Sequence, residues 1–201
     1  MIGIINFGLG NLGSIVNSYQ KLNTQVKILD KPSDAENASH LILPGVGSYR
    51  VGMNNLKNLK WDIEIFKHVK KKKPLLGICL GMQLLFEKGE EDGINPGLGL
   101  IKGSVSKIKN SQQKIPVVGW KDIQIIKEHK LFTKVRTSAD FYFVHSYECK
   151  VEDESNLIAK SDDITACVAL DNIFATQFHP EKSPPNGINI LKNFYEWDGK
   201  C

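Results

Sequence analysis

The chain has 201 residues, of which 41% are hydrophobic and 24% charged, a balance that excludes wholesale disorder and suits a single domain over 1–201. Lys and Arg number 26 against 22 Asp and Glu, and a formal charge of +4 is too mild to imply a nucleic-acid or membrane partner. The longest apolar runs, such as Pro74 to Leu80, fall far short of a bilayer span, and Met1 to Asn6 lacks the basic start and long apolar stretch of a secretory signal. Cys79, Cys149, Cys167 and Cys201 are scattered, with no Cys-x-x-Cys pair. That spacing argues against a disulfide framework and against a zinc site, and it fits a reducing, cytoplasmic compartment.

In chain order, Ile2 to Asn6 is predicted as a buried strand, followed by a turn through Gly8, Gly10 and Gly13 and a helix to about Leu22. Val26 to Asp30 and Leu41 to Leu43 are further strands, the latter ending in Pro44-Gly45-Val46-Gly47. Helices follow over Val51 to Leu59 and Trp61 to Lys72, then a strand over Pro74 to Ile78 and a helix over Leu80 to Lys88. Strands apolar on both faces and separated by helices predict a mostly parallel sheet covered on two sides. The second half changes character: Ser104 to Lys109, Val117 to Ile126 and Phe141 to Tyr147 are predicted strands with little helix between them. Ile164 to Leu170 and Ile173 to Gln177 are joined only by Asp171-Asn172, a hairpin signal, and a helix near Ile188 to Trp197 closes the chain. The expectation is an α/β core with an antiparallel extension.

The most informative run is Gly77-Ile78-Cys79-Leu80-Gly81, where an apolar strand passes through Gly-x-Cys-x-Gly straight into a helix. This is the nucleophile-elbow pattern with a thiol in place of a hydroxyl. A side chain on so sharp a turn needs small neighbours, the helix start favours thiolate over thiol, and the amide of Leu80 would face a developing oxyanion. A small buried cysteine packed between glycines would give the same run. A second signal lies in Gln177-Phe178-His179-Pro180-Glu181-Lys182-Ser183. Pro180 biases His179 toward an extended conformation, which would put Glu181 on the same side as the imidazole. Glu181 could then hold one ring nitrogen while the other takes a proton from a thiol. An isolated His-x-Glu is more often a solvated loop, so the pairing with the cysteine elbow carries the argument. The order Cys, His, Glu differs from that of α/β-hydrolases, where the acid precedes the histidine.

Gly77 to Gln83 together with His179-Pro180-Glu181 resembles the class I (triad) glutamine amidotransferase family. Within it the chain is most similar to the glutaminase subunits of imidazole glycerol phosphate synthases. Asn6 to Leu12, Leu43 to Gly47, Gly77 to Glu87, Gly97 to Ile101, Gly119-Trp120, Tyr142 to Tyr147 and Gln177 to Ser183 carry that likeness along nearly the whole length. The resemblance implies hydrolysis of the side-chain amide of L-glutamine to glutamate and ammonia. It implies Cys79 as nucleophile, His179 as base and then acid, and Glu181 as the orienter of His179. It implies an oxyanion hole from Val46, Gly47 and Leu80, and glutamine held by Gly45, Gln83, Glu91, His145, Ser146 and Tyr147. No cofactor and no metal are implied. The ammonia would pass through a closed passage to a (β/α)8-barrel cyclase subunit that makes imidazole glycerol phosphate, and nothing in this chain has the glycine-rich pattern to bind the phosphorylated acceptor itself.

Two departures stand out. Pro116-Val117-Val118-Gly119-Trp120-Lys121 replaces the family's Pro-His-Met-Gly-Trp-Asn in a segment expected near the partner, and Asn6 stands where Asp is usual. They leave room for a paralogous subunit that supplies ammonia for an amidine on a surface-polysaccharide sugar. A non-catalytic regulatory module of the same fold is the reading from another class, and the joint presence of Cys79, His179 and Glu181 speaks against it. Lys67 and Lys70 to Lys73 read as a solvated helix end and Leu84, Leu85 and Phe86 as core.

Overall fold

The computed structural model describes residues 1–109 and 114–200; Cys201 lies outside the described residues. In chain order the elements are β1 (Ile2–Ile5), α1 (Leu12–Lys21), β2 (Val26–Leu29), β3 (His40–Leu43), α2 (Tyr49–Asn58), α3 (Trp61–Lys70) and β4 (Leu75–Ile78). Then come α4 (Leu80–Leu84), β5 (Phe86–Gly89), β6 (Asn95–Pro96), β7 (Ile101–Lys107), β8 (Val117–Ile125), β9 (Ala139–His145) and β10 (Tyr147–Val151). The chain ends with β11 (Leu157–Ser161), β12 (Ile164–Leu170), β13 (Ile173–Thr176) and α5 (Asn186–Glu196).

A nine-stranded sheet runs β2-β1-β3-β4-β13-β12-β11-β8-β9. Its first five strands are parallel and the rest pair antiparallel, so the α/β core and its antiparallel extension form one continuous sheet. The parallel strands inside the β2 edge are buried on both faces because alternate residues enter two separate cores. Ile2, Ile4, Ile42 and Leu76 pack with Ile15, Tyr19, Ile190 and Phe194 of α1 and α5. Ile5, Leu41, Leu43 and Leu75 pack with Met53, Leu56, Trp61 and Ile65 of α2 and α3. The predicted two-residue turn is present: β12 and β13 pair from Leu170↔Ile173, and Asp171 takes the left-handed φ of 52° that the connection needs.

Three expectations are corrected. The helix predicted over Leu80 to Lys88 stops at Leu84, and the chain turns into β5, which pairs with β7 in a second, four-stranded sheet β10-β7-β5-β6. Leu84, Leu85 and Phe86 are all fully buried, so their pattern carries no helical face to distinguish helix from strand. The strand predicted from Phe141 to Tyr147 is two strands: the chain leaves the large sheet after His145 and joins the small one at Tyr147. The strand predicted over Ser104 to Lys109 is β7, which starts at Ile101 and ends at Lys107. The short strands β6 and β11 had no counterpart in the sequence reading.

Gly81 shows how tightly α4 seats against the sheet. A Cβ at this position would run into the carbonyl oxygen of Leu43 at the end of β3, a backbone atom that cannot step aside alone. Gly81→Ala is expected to destabilise the fold by about 1–3 kcal/mol, the usual cost of forcing a methyl into a packed interior. Chemical denaturation measures it, and an unchanged midpoint would mean that α4 can shift freely against β3.

Candidate active site

The end of β4 and the start of α4 meet at Cys79, whose φ of 54° and ψ of −110° are those of a strained, sharp turn. Its amide donates to the Thr176 carbonyl at 2.7 Å, which ties the elbow to β13. Gly77 has the close neighbours expected of it, since a Cβ there would lie 2.9 Å from Leu85 Cδ1 and 3.1 Å from Ala175 Cβ. Cys79 is buried, 6% exposed, with the Val144 carbonyl 3.9 Å and the Gln177 side-chain amide 3.8 Å from Sγ.

Because β13 lies beside β4, the residues that follow it arrive at the elbow. His179 is extended, as the following proline predicts, but Pro180–Lys182 then forms a 3-10 turn rather than continuing extended. The pairing with Glu181 survives that change: His179 Nδ1 lies 2.8 Å from Glu181 Oε1, both side chains buried. The backbone around the imidazole is pinned as well. His179 N–H donates to the Tyr142 carbonyl at 3.0 Å, and Ser183 Oγ donates to the His179 carbonyl at 2.6 Å. With Nδ1–H given to the carboxylate, Nε2 is buried and has no hydrogen-bond partner among the described residues. Burial disfavours the charged imidazole, but Cys79 and then Glu181 outweigh it and raise the pKa of His179 to about 9.

A cavity of about 490 Å³, within the range of small-molecule sites, opens at the thiol. Cys79, Leu80, Val46, Gly47, Gln83, Glu91, His145, Ser146 and Tyr147 line it, as do Ser48 and Val144, which sequence reasoning missed. The switch between the two sheets at Ser146 puts consecutive residues on one wall. His145 is neutral: burial lowers its pKa to about 4. Its Nδ1–H donates to the Tyr147 carbonyl at 2.8 Å, so Nε2 is the acceptor end of the ring. That same carbonyl accepts from Gln83 Nε2 at 3.2 Å.

Two expected placements differ, and a third residue is already engaged. The Leu80 amide does not face the cavity unpaired; it donates to the Gly45 carbonyl at 3.3 Å. Gly45 therefore sits against α4 rather than on the cavity wall, held there because a Cβ would be 2.8 Å from Leu80 Cβ and 2.9 Å from Gly81 N. Glu91 lines the cavity but accepts from the Tyr49 amide at 2.6 Å, satisfying an orphan N–H at the start of α2. Nor does a long helix dipole act at the thiol, because α4 has only five residues.

A thiol on a strand–turn–helix elbow, an imidazole held by a buried carboxylate and an adjoining cavity, all on a mixed α/β sheet, form the arrangement that an activated thiol nucleophile requires. The family described as "Glutamine amidotransferase class-I" matches residues 3–197, and the chain belongs to it. "Imidazole glycerol phosphate synthase subunit HisH 1" of Campylobacter jejuni subsp. jejuni is 43% identical over 199 residues, covering 96% of this chain and 98% of that protein. The HisH subunit of Methanocaldococcus jannaschii is likewise 43% identical, covering 98% and 99%. Among solved structures, one described as a glutamine amidotransferase matches with a TM-score of 0.79 at 20% identity, covering 98% of each chain, a likeness of fold.

A folded-state pKa near 9 lies above the 6.5 of an ordinary imidazole. Protonation of His179 therefore stabilises the fold fully below pH 6.5, and that contribution is lost as pH rises through 9. Cys79→Ala and Glu181→Gln each remove an upward influence and should lower the His179 midpoint, as followed by NMR of the ring Cε1–H. A midpoint left unmoved by Cys79→Ala would show that sulfur and imidazole do not communicate.

Proposed function

We propose that this chain is the glutaminase subunit of an imidazole glycerol phosphate synthase, working as one glutamine amidotransferase unit over 1–201 in the cytoplasm. The observation that carries the reading is the buried His179–Glu181 pair beside the Cys79 elbow, in a chain 43% identical to HisH subunits over nearly its full length. Cys79 is the nucleophile. His179 is the group placed to take the proton that Cys79 gives up, consistent with that ring's raised pKa. The thiolate attacks the carbon of the glutamine side-chain amide, and the carbonyl oxygen becomes an oxyanion. As the C–N bond breaks, His179 gives its proton to nitrogen and ammonia leaves, with a thioester remaining on Cys79. Water then attacks the thioester, His179 takes its proton, and glutamate is released. Glu181 holds Nδ1–H throughout and stabilises the imidazolium.

Gln83, Glu91, His145, Ser146 and Tyr147 form the glutamine pocket in this reading, with Gly45 adjoining it. The oxyanion donors come from Leu80 and from Val46 or Gly47. The Leu80 amide is occupied by the Gly45 carbonyl, so the loop must move before that donor is available. Gly47, at φ 100°, gives the loop a residue that tolerates such a change. A partner that moves this loop would switch on hydrolysis and avoid wasting ammonia. We assign that role to a (β/α)8-barrel cyclase subunit receiving the ammonia. The exposed Val118 (58%) and Trp120 (52%) support a docking face close to the site, since Val118 pairs with the cavity residue Val144 and Trp120 lies edge-on to Tyr142.

Cys79→Ala is expected to abolish glutamate release while fold and partner binding persist. His179→Ala should cost orders of magnitude in turnover, and Glu181→Gln less, because Glu181 orients the ring and transfers no proton. Glutaminase turnover at the native level in Cys79→Ala would falsify the mechanism. The partner dependence is read from steady-state kinetics of the chain alone, with the cyclase, and with cyclase plus acceptor. Freeing an oxyanion donor is worth about 100- to 1,000-fold in turnover, and equal rates in all three states would remove the gating step but not the triad. Activation by a sugar-amidine synthase in place of the cyclase would transfer the chain to the paralogous pathway.

A further inference from the structure

Gln177 is fully buried, and a primary amide reaches such a place only with its polar atoms partnered. Its partners are informative. Gln177 Oε1 lies 3.1 Å from Gln83 Nε2, and Gln177 Nε2 lies 3.8 Å from Cys79 Sγ. Which end of the amide faces the sulfur follows from the network. The Tyr147 carbonyl can only accept, so the Gln83 atom 3.2 Å from it is the donor nitrogen. That nitrogen also reaches Gln177, whose near end must then be the accepting oxygen. The far end, against the sulfur, is N–H.

We propose that Gln177 is a further catalytic residue, whose side-chain amide donates a hydrogen bond to Cys79 Sγ and stabilises the thiolate. The proposal rests on Cys79 being the nucleophile. An N–H donated to an anion is markedly stronger than one donated to a neutral thiol, so the bond favours the charged form. The five-residue α4 leaves that task to local donors. Gln83 lines the cavity, so the chain Tyr147–Gln83–Gln177 connects the cavity wall to the sulfur. The other titratable groups facing Cys79 are His179 and the Cys149 thiol, with His145, Tyr147 and Glu91 across the cavity. None of them is altered by a substitution at Gln177.

The test is the pH profile of Cys79 alkylation by iodoacetamide, followed on the Cys79 peptide by mass spectrometry, in the full chain and in Gln177→Met and Gln177→Glu. Met keeps length and bulk but loses the donor; Glu keeps the oxygen toward Gln83 and turns a second oxygen on the sulfur. Loss of one charge-assisted bond should move the midpoint alkaline by about one pH unit and slow alkylation at neutral pH about tenfold in Gln177→Met. Gln177→Glu should shift it further. A Gln177→Met profile superimposable on the parent's, or equal shifts in both variants, would overturn the proposal. If neither variant folds by thermal unfolding, the side-chain amide NMR signal of Gln177 in the unsubstituted chain decides. It should titrate together with Cys79 and not in Cys79→Ala, and a pH-invariant signal overturns the bond. Alkylation needs no glutamine, so a negative result here leaves the glutaminase reading standing; native turnover in Cys79→Ala would sink that reading and Gln177's catalytic role with it, while the alkylation profile would still report the hydrogen bond.

Discussion

The backbone at Cys79 is the constraint on which the site depends. A non-glycine residue at φ 54° and ψ −110° costs about 1–3 kcal/mol and persists only where its surroundings over-determine it. Three contacts do so here. The Cys79 amide is tied to Thr176, Gly81 lets α4 lie directly on the end of β3, and Gly77 lets Leu85 close over the strand. The tie to Thr176 has a wider effect. It belongs to the parallel register Thr176↔Ile78, which delivers residues 177–181 to the elbow. The same pairing that holds the thiol in its strained turn thus brings Gln177, His179 and Glu181 to it.

What was legible from the amino acids is what depends on local pattern. Parallel strands buried on both faces leave unbroken apolar runs, the Asp171-Asn172 turn has its own chemistry, and the elbow needs Gly77 and Gly81 in sequence. The proximity of His179 and Glu181 was also readable, although the turn that joins them is helical rather than extended. What escaped depends on contacts between distant segments. The end of α4 at Leu84 is set by the pairing of β5 with β7, and Leu84 to Phe86 are buried in either conformation. Gln177 opens the run that carries His179, but nothing in the sequence shows its contact with the sulfur, and its partner Gln83 lies 94 positions away. The Leu80 amide was expected to be available because nothing in the sequence shows where the Gly45 carbonyl turns.

The departures from the family pattern have local explanations of different weight. Asn6 donates from Nδ2 to Asp30 at 2.8 Å and accepts from the Gly8 amide at 3.2 Å, bracing the loop between β1 and α1. A carboxylate at position 6 would face Asp30 as a like charge, so asparagine suits this neighbour. Lys121 pairs with Asp162 at 2.8 Å, an ion pair exposed enough to add little to stability. Val117 is buried and Val118 exposed, as alternation along a strand requires, so neither substitution disturbs the sheet.

The Tyr147 carbonyl settles the orientation of two side chains at once, the tautomer of His145 and the amide of Gln83. It is a main-chain atom, present whatever residue occupies position 147. Polarity on this wall is thereby written into the course of the backbone, where the chain crosses from one sheet to the other. A substitution of the tyrosine side chain therefore leaves the hydrogen-bonding sense of its two neighbours the same.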